Sequence, residues 1–346
     1  MENMQTVQVT TTENKPRVSA FRYGFDAVLA FFGFSTKTHR ASKKRAKLVG
    51  DIATYIILLF GAFLMLYPFW WMIAASFAAT AVNGGKAYVT TLIWWPTLAY
   101  PTTINGVREG LFHNYEIIFS TGFTQGFPTG YSYWRAVANN LFYSIVPVVV
   151  GVITSAMAAF SFAKINWIGR NAMFLFLLAA IMVPGPSIMA MQYAMYDSFG
   201  FLDNWAVMVV PGLFGSIMTA FFIRQFLFGM PTSIIEAAKI DGAGYGRIFI
   251  SFILPLAMPA IVAQGLLSFM GAWNNYMGSY IFINSGSVWM NLPHAMSRME
   301  ANNDSFVNDQ GPILAAAVLC VLPVIILFAI FQKMIIGSLM LTGSKE

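Results

Sequence analysis

The densest group of residues that could do chemistry in this chain is Glu236-Ala237-Ala238-Lys239-Ile240-Asp241-Gly242-Ala243, a polar stretch between two apolar runs. Its small alanines permit close approach of another protein's surface, so the stretch reads as a contact device. Ser233 and Glu236 have capping-box spacing, which predicts Ser233 as the N-cap of a helix over about 233–241. Pro231 upstream suits the start of that helix. Such a helix would carry Ile234, Ala237, Ala238 and Asp241 along one side, and Gly242 would end it in a left-handed turn. A second helix would run from about 244 into the next apolar run. The bland alternative is an amphipathic loop stabilised by its own caps.

Other candidate groups exclude more than they include. The histidines, His39, His113 and His294, lie in three separate segments, and Cys320 is the only cysteine, so neither a structural zinc site nor an intramolecular disulfide is expected. Gly84-Gly85-Lys86 lacks the spacing and the following Ser or Thr of a phosphate loop, so the chain does not hydrolyse ATP by that route. Glu300, Asp304 and Asp309 are the nearest thing to an acidic cluster, but Asn302 and Asn303 beside them read as a solvated loop. The 21 methionines are scattered and suit gap-filling in packed helices better than a metal path. No catalytic residue, metal or cofactor is expected on this chain.

The elements that must position these residues are membrane helices. Of the 346 residues, 58% are hydrophobic and 10% charged, and the mean hydropathy is +0.65; soluble domains carry about 25% charged residues. Six runs are long enough to span a bilayer: roughly 52–79, 141–163, 171–190, 205–228, 256–283 and 312–333. They are continuous rather than alternating, which excludes a barrel. Of the 20 Lys and Arg, all but Lys86, Arg108, Arg135 and Arg298 fall on one side of the resulting topology. Both termini and the Glu236 loop are therefore predicted to be cytoplasmic. The net charge of +6 reflects this orientation, not nucleic-acid binding.

The expected domains are a basic extension at 1–47 and a six-helix domain at 48–346 with the contact loop at about 229–255. Residues 25–34 are too short to span, and two readings stand: an interfacial helix on the inner leaflet or a tail that sets orientation by its charge. The outer loop at about 80–138 contains Trp94-Trp95-Pro96 and Asn114-Tyr115. It reads either as a docking surface or as aromatics seated in the outer interface. The spans hold no Asp, Glu, Lys or His between their ends, which argues against proton coupling. Pro184-Gly185-Pro186 could break a helix and leave carbonyls for sodium. A self-sufficient secondary carrier for a small polar solute is thus the alternative reading.

Glu236-Ala-Ala, Gly242 and Leu254-Pro255 together resemble the cytoplasmic loop of the permease subunits of ATP-binding-cassette (ABC) importers, with Phe252 where that pattern has Ile. Ala158–Lys164, Trp273-Asn274, Leu292-Pro293 and the tail holding Gly337 and Gly343 narrow the resemblance to carbohydrate importers, near the second permease of maltose-type systems. The resemblance implies a type I importer permease fold in the plasma (inner) membrane of a prokaryote. It implies a second permease subunit, two ATP-binding subunits that hold ATP and Mg, and an extracytoplasmic solute-binding protein. By it, Glu236, Ala237, Ala238, Asp241, Gly242 and Ala243 couple to the ATPase. Trp273, Asn274, Asn275 and Tyr276 put rings and amides at membrane depth, where they could line a sugar pathway or lock neighbouring helices together.

Overall fold

The computed structural model describes the backbone of residues 40–77, 81–83, 86–88, 103–104, 107–108, 112–120, 127–301 and 311–343, and the side chains of 48–77, 112–120, 127–299 and 311–332. Residues 25–34, Trp94-Trp95-Pro96, Asp304 and Asp309 lie outside them. The chain divides into two compact units, Met1–Pro68 and Phe69–Glu346. Helix α1 (Arg40–Ser76) runs from the first into the second, so the basic stretch after residue 39 is already helical.

Among the described residues the fold is helical except for two small hairpins, β1 (Ala81–Asn83) with β2 (Lys86–Tyr88) and β3 (Thr103–Ile104) with β4 (Val107–Arg108). Helix α2 (His113–Ser120) follows, and two of its residues fasten it to the end of α1. Asn114 Nδ2 donates to Ser76 O at 2.8 Å, and the Tyr115 and Ser76 hydroxyls share a hydrogen bond of 2.8 Å. Asn114-Tyr115 is therefore a clamp within the chain.

Among the described residues, four helical stretches are long and apolar enough to cross a membrane: Leu48–Ser76, Tyr133–Lys164, Ala206–Phe228 and Gly311–Gln332. Two bent pairs pass the same test when each is taken together. In the first, α4 (Arg170–Ile181) meets α5 (Gly185–Ser198) at 97°. Pro184-Gly185-Pro186 sits at that break, where proline supplies no amide donor and clashes with the preceding turn. In the second, α9 (Tyr245–Leu256) meets α10 (Met258–Trp273) at 77°. Before Pro255 the α9 backbone widens into a π-turn over Phe249–Ile253, as a missing amide donor allows.

The run at 256–283 is not one helix. It comprises the end of α9, then α10, then a separate α11 (Tyr276–Phe282). Likewise α3 (Tyr133–Lys164) begins two turns before the expected 141, capped by Ser132, whose hydroxyl accepts from Arg135 N at 3.3 Å. Helix α13 (Gly311–Gly343) carries both Gly337 and Gly343 on continuous helical backbone.

Helix α3 is the axis of the second unit. It packs against α6 (Ala206–Leu213), α7 (Ile217–Phe228) and α10. The α3–α6 crossing is built from small residues, as lipid-immersed helices require for close approach. A Cβ on Gly212 would stand 2.5 Å from Pro147 Cβ, and one on Gly151 would strike the Gly212 carbonyl. Gly215, between α6 and α7, has φ +83°, and a side chain there would meet Ser155 Oγ at 2.5 Å. Ser155 Oγ ties α3 to the break, donating to Gly151 O of its own helix at 2.6 Å and accepting from Ser216 N at 2.9 Å.

Candidate functional site

The Glu236 segment forms α8 (Ser233–Ile240), a two-turn helix between the membrane-length helices α7 and α9. Its start differs from the capping-box expectation. Thr232 is the N-cap, Ser233 is the first helical residue, and no side chain caps the end. Glu236 N instead donates to the Thr232 carbonyl at 3.1 Å. The Glu236 carboxylate stays exposed in the first turn, where the helix dipole favours negative charge.

The C-terminus follows the expectation. Asp241 is the C-cap, and Gly242 takes φ +77°. Ala243 N donates to Ala238 O at 2.9 Å and Gly242 N to Lys239 O at 3.0 Å, the two bonds of a Schellman turn. Only glycine enters that conformation without a steric penalty.

The side of α8 expected to carry Ile234, Ala237, Ala238 and Asp241 is divided between core and surface. Ile235 and Ala238 are buried, packed with Val152, Ala156, Ile223, Leu227, Ile248 and Ile253 of α3, α7 and α9. Glu236, Ala237, Asp241 and Gly242 are exposed, and Ile234 is only half-buried. Thus Ala237 and Ala238 differ: one is exposed, the other lies in the core. The residue missed from sequence is Ile240, 87% exposed and one turn after Glu236. Its (i, i+4) spacing from the exposed Glu236 is the signal that the sequence carries for it.

Further contacts make α8 a rigid projection. Lys164 Nζ, at the end of α3, donates to Met230 O at 2.7 Å just before α8. Lys239 Nζ bonds the Tyr245 hydroxyl at 3.0 Å, bridging the turn around Gly242. Arg224 lies with its guanidinium 4.0 Å from the Phe174 ring centre and 4.4 Å from that of Phe228, which ties α7 to α4.

The aromatic–amide group lies elsewhere in the fold, at the break between α10 and α11. Trp273 is 1% exposed, its indole N–H donates to Cys320 O at 2.9 Å, and its ring stacks on Phe269. It locks α10 to α13. Asn275 caps α11 through its Oδ1, which accepts from Gly278 N at 3.0 Å. Carbonyls freed by the break are taken up by side-chain amides: Asn140 Nδ2 on Trp273 O at 3.3 Å and Asn291 Nδ2 on Asn275 O at 2.8 Å. Asn274 is exposed, and the Tyr276 hydroxyl shares a 3.2 Å bond with Ser297. Of the four, Asn275 borders a cavity of about 330 Å³ lined by α3, α5, α6, α7, α10 and α11. Among the described residues no group of acidic, His or Cys side chains could hold a metal ion.

Known proteins resemble this chain in sequence and in fold. The chain is 29% identical over 213 residues to the arabinooligosaccharides transport system permease protein AraQ of Halalkalibacterium halodurans, covering 62% of this chain and 75% of that one. It is 26% identical over 294 residues to the trehalose/maltose transport system permease protein MalG of Thermococcus litoralis, covering 84% and 96%. The fold matches a chain of a bacterial ABC transporter involved in import of the acidic polysaccharide alginate, with a TM-score of 0.64 at 18% identity over 86% of this chain and 99% of that one. Residues 129–339, which hold α3, the α8 projection and most of the last helix, match the binding-protein-dependent transport system inner membrane component family, and the chain belongs to that family.

Proposed function

We propose that this chain is the transmembrane permease subunit of an ATP-driven importer for a sugar or oligosaccharide, and that α8 is its coupling helix. The observation that carries the reading is the exposed, preorganised face of α8, Glu236, Ala237, Ile240 and Asp241, on a helix whose other face is packed into α3, α7 and α9. A rigid knob tied to membrane helices can transmit the closure of an ATPase dimer as a rigid-body movement. The cavity between the permeases then alternates between outward and inward access. ATP and Mg belong to the partner ATPase in this reading, and the chain itself performs no chemistry.

The six-span topology, with both termini and α8 cytoplasmic, counts each bent pair as one span and follows the Lys and Arg distribution. The partners are a second, different permease, two ATP-binding subunits and an extracytoplasmic solute-binding protein. The carbohydrate class rests on the substrates that the relatives' names state. Purification from native membrane in mild detergent tests the assembly. Stoichiometric recovery of an ATPase and a second permease, lost when Glu236 and Gly242 are altered, is the expected result. Recovery of the chain alone, still active in transport, would overturn it in favour of a secondary carrier.

A further inference from the structure

We propose that the cavity beside α3 is a carbohydrate-hydroxyl subsite within this chain, with Thr219, Ser268 and Asn275 as its hydrogen-bonding groups and Tyr196 and Phe282 as its apolar platform. The proposal deepens the importer reading and rests on it. The cavity measures about 330 Å³, within the range of roughly 300–1,000 Å³ usual for small-molecule pockets.

Its walls offer polar groups that the protein leaves unused. Thr219 is 5% exposed, yet its hydroxyl has no hydrogen-bond partner among the described residues. A helical threonine can bond back to the carbonyl three or four residues earlier, and the nearer one, Ser216 O, already accepts from Ala220 N and Ser155 Oγ. The farther one belongs to Gly215, which lies outside α7 in a left-handed conformation. The Ser268 hydroxyl on α10 is likewise unpartnered among the described residues. Asn275 spends its Oδ1 on the α11 cap and leaves both Nδ2 protons free. An unpaired buried hydroxyl is costly, so Thr219 favours a ligand that pairs with it, and the half-buried Ser268 and exposed Asn275 are open to the same ligand.

The chemistry of that ligand follows from the walls. The cavity is lined by hydroxyls, an amide and apolar groups and by no ionisable acid or base other than tyrosine, so a neutral polyhydroxylated solute fits better than an ion or an amino acid. Tyr196 and Phe282, packed edge to face with ring centres 5.1 Å apart, line its apolar side, against which the C–H groups of a sugar can pack. The contrast with the neighbouring cavity of about 700 Å³ between α3, α10 and α13 is sharp. Its walls are almost wholly apolar, suited to lipid or another helix.

The test uses the assembled importer in proteoliposomes with its ATPase, second permease and binding protein, and reads tritiated maltotriose and arabinotriose carried per ATP hydrolysed. Thr219→Val and Ser268→Ala, which keep shape, should each lower that ratio roughly fivefold, as loss of one hydrogen bond implies. Asn275→Asp keeps the cap acceptor but loses the donor and should do the same, while Ser268→Phe should abolish uptake by filling the space. Val262→Ala, on the apolar cavity, should match the wild type. Unchanged sugar-to-ATP ratios in all four cavity variants would overturn the subsite and leave the importer reading intact. An assembled wild-type complex that hydrolyses ATP but carries neither trisaccharide would overturn the carbohydrate reading, and the subsite with it.

Discussion

Gly242 and Ile240 separate shape from contact on α8. At φ +77° a side chain on Gly242 is strained, by about 1–2 kcal/mol. Gly242→Val should therefore loosen the Schellman turn and reduce recovery of the ATPase on affinity purification at least several-fold, while the permease still inserts. Ile240 is exposed, so Ile240→Ala should leave the thermal stability of the isolated permease unchanged. In the complex the same change removes an apolar anchor, for which about 1–2 kcal/mol, or roughly tenfold in affinity, is expected by titration with the purified ATPase. Ala237→Lys should also block docking, whereas Ala238→Lys should damage folding first, because its side chain lies in the core. Equal behaviour of the two alanine variants would contradict the two-faced geometry.

At the scale of elements, helix crossings and breaks set the predictions. Gly151→Leu would drive a side chain into the Gly212 backbone where α3 meets α6. Overpacking of that kind costs about 1–3 kcal/mol, so the melting temperature of the permease in detergent should fall by several degrees. Helix α12 (Leu292–Ala301) carries a different constraint. His294 is buried, with Ser279 Oγ 3.1 Å from Nδ1 and Ser285 Oγ 3.3 Å from Nε2, and the rings of Tyr276 and Tyr280 set edge-on to it. Burial first, and then the Arg298 charge, push its pKa down to about 4, against an unfolded value near 6.5. The folded state thus binds fewer protons than the unfolded state between those values, so stability should decline as pH falls from about 6.5 to about 4. Melting curves between pH 7 and pH 4.5 should show that decline in the wild type and a smaller one in His294→Gln.

Topology is the prediction that belongs to the whole molecule. With Cys320→Ala as background, Phe199→Cys between α5 and α6 should react with an impermeant maleimide from outside, and Ile168→Cys between α3 and α4 only after permeabilisation. The reverse pattern would invert the orientation drawn from Lys and Arg. Much was legible in the chain itself. Its apolar runs, positive-charge asymmetry, Gly242 turn and proline breaks are local or additive properties, and each spans only a few residues or sums over them. The tertiary structure decided what depends on neighbours far away in sequence. It chose which alanine of α8 faces the core, because Ile235 and Ala238 meet residues of α3, α7 and α9. It made Trp273 a lock on α13 rather than part of a cavity wall, and it gathered Tyr196, Thr219, Ser268 and Asn275 from four helices around one space. No spacing along the chain carries that information, since burial and pairing arise only when helices separated by tens of residues pack together.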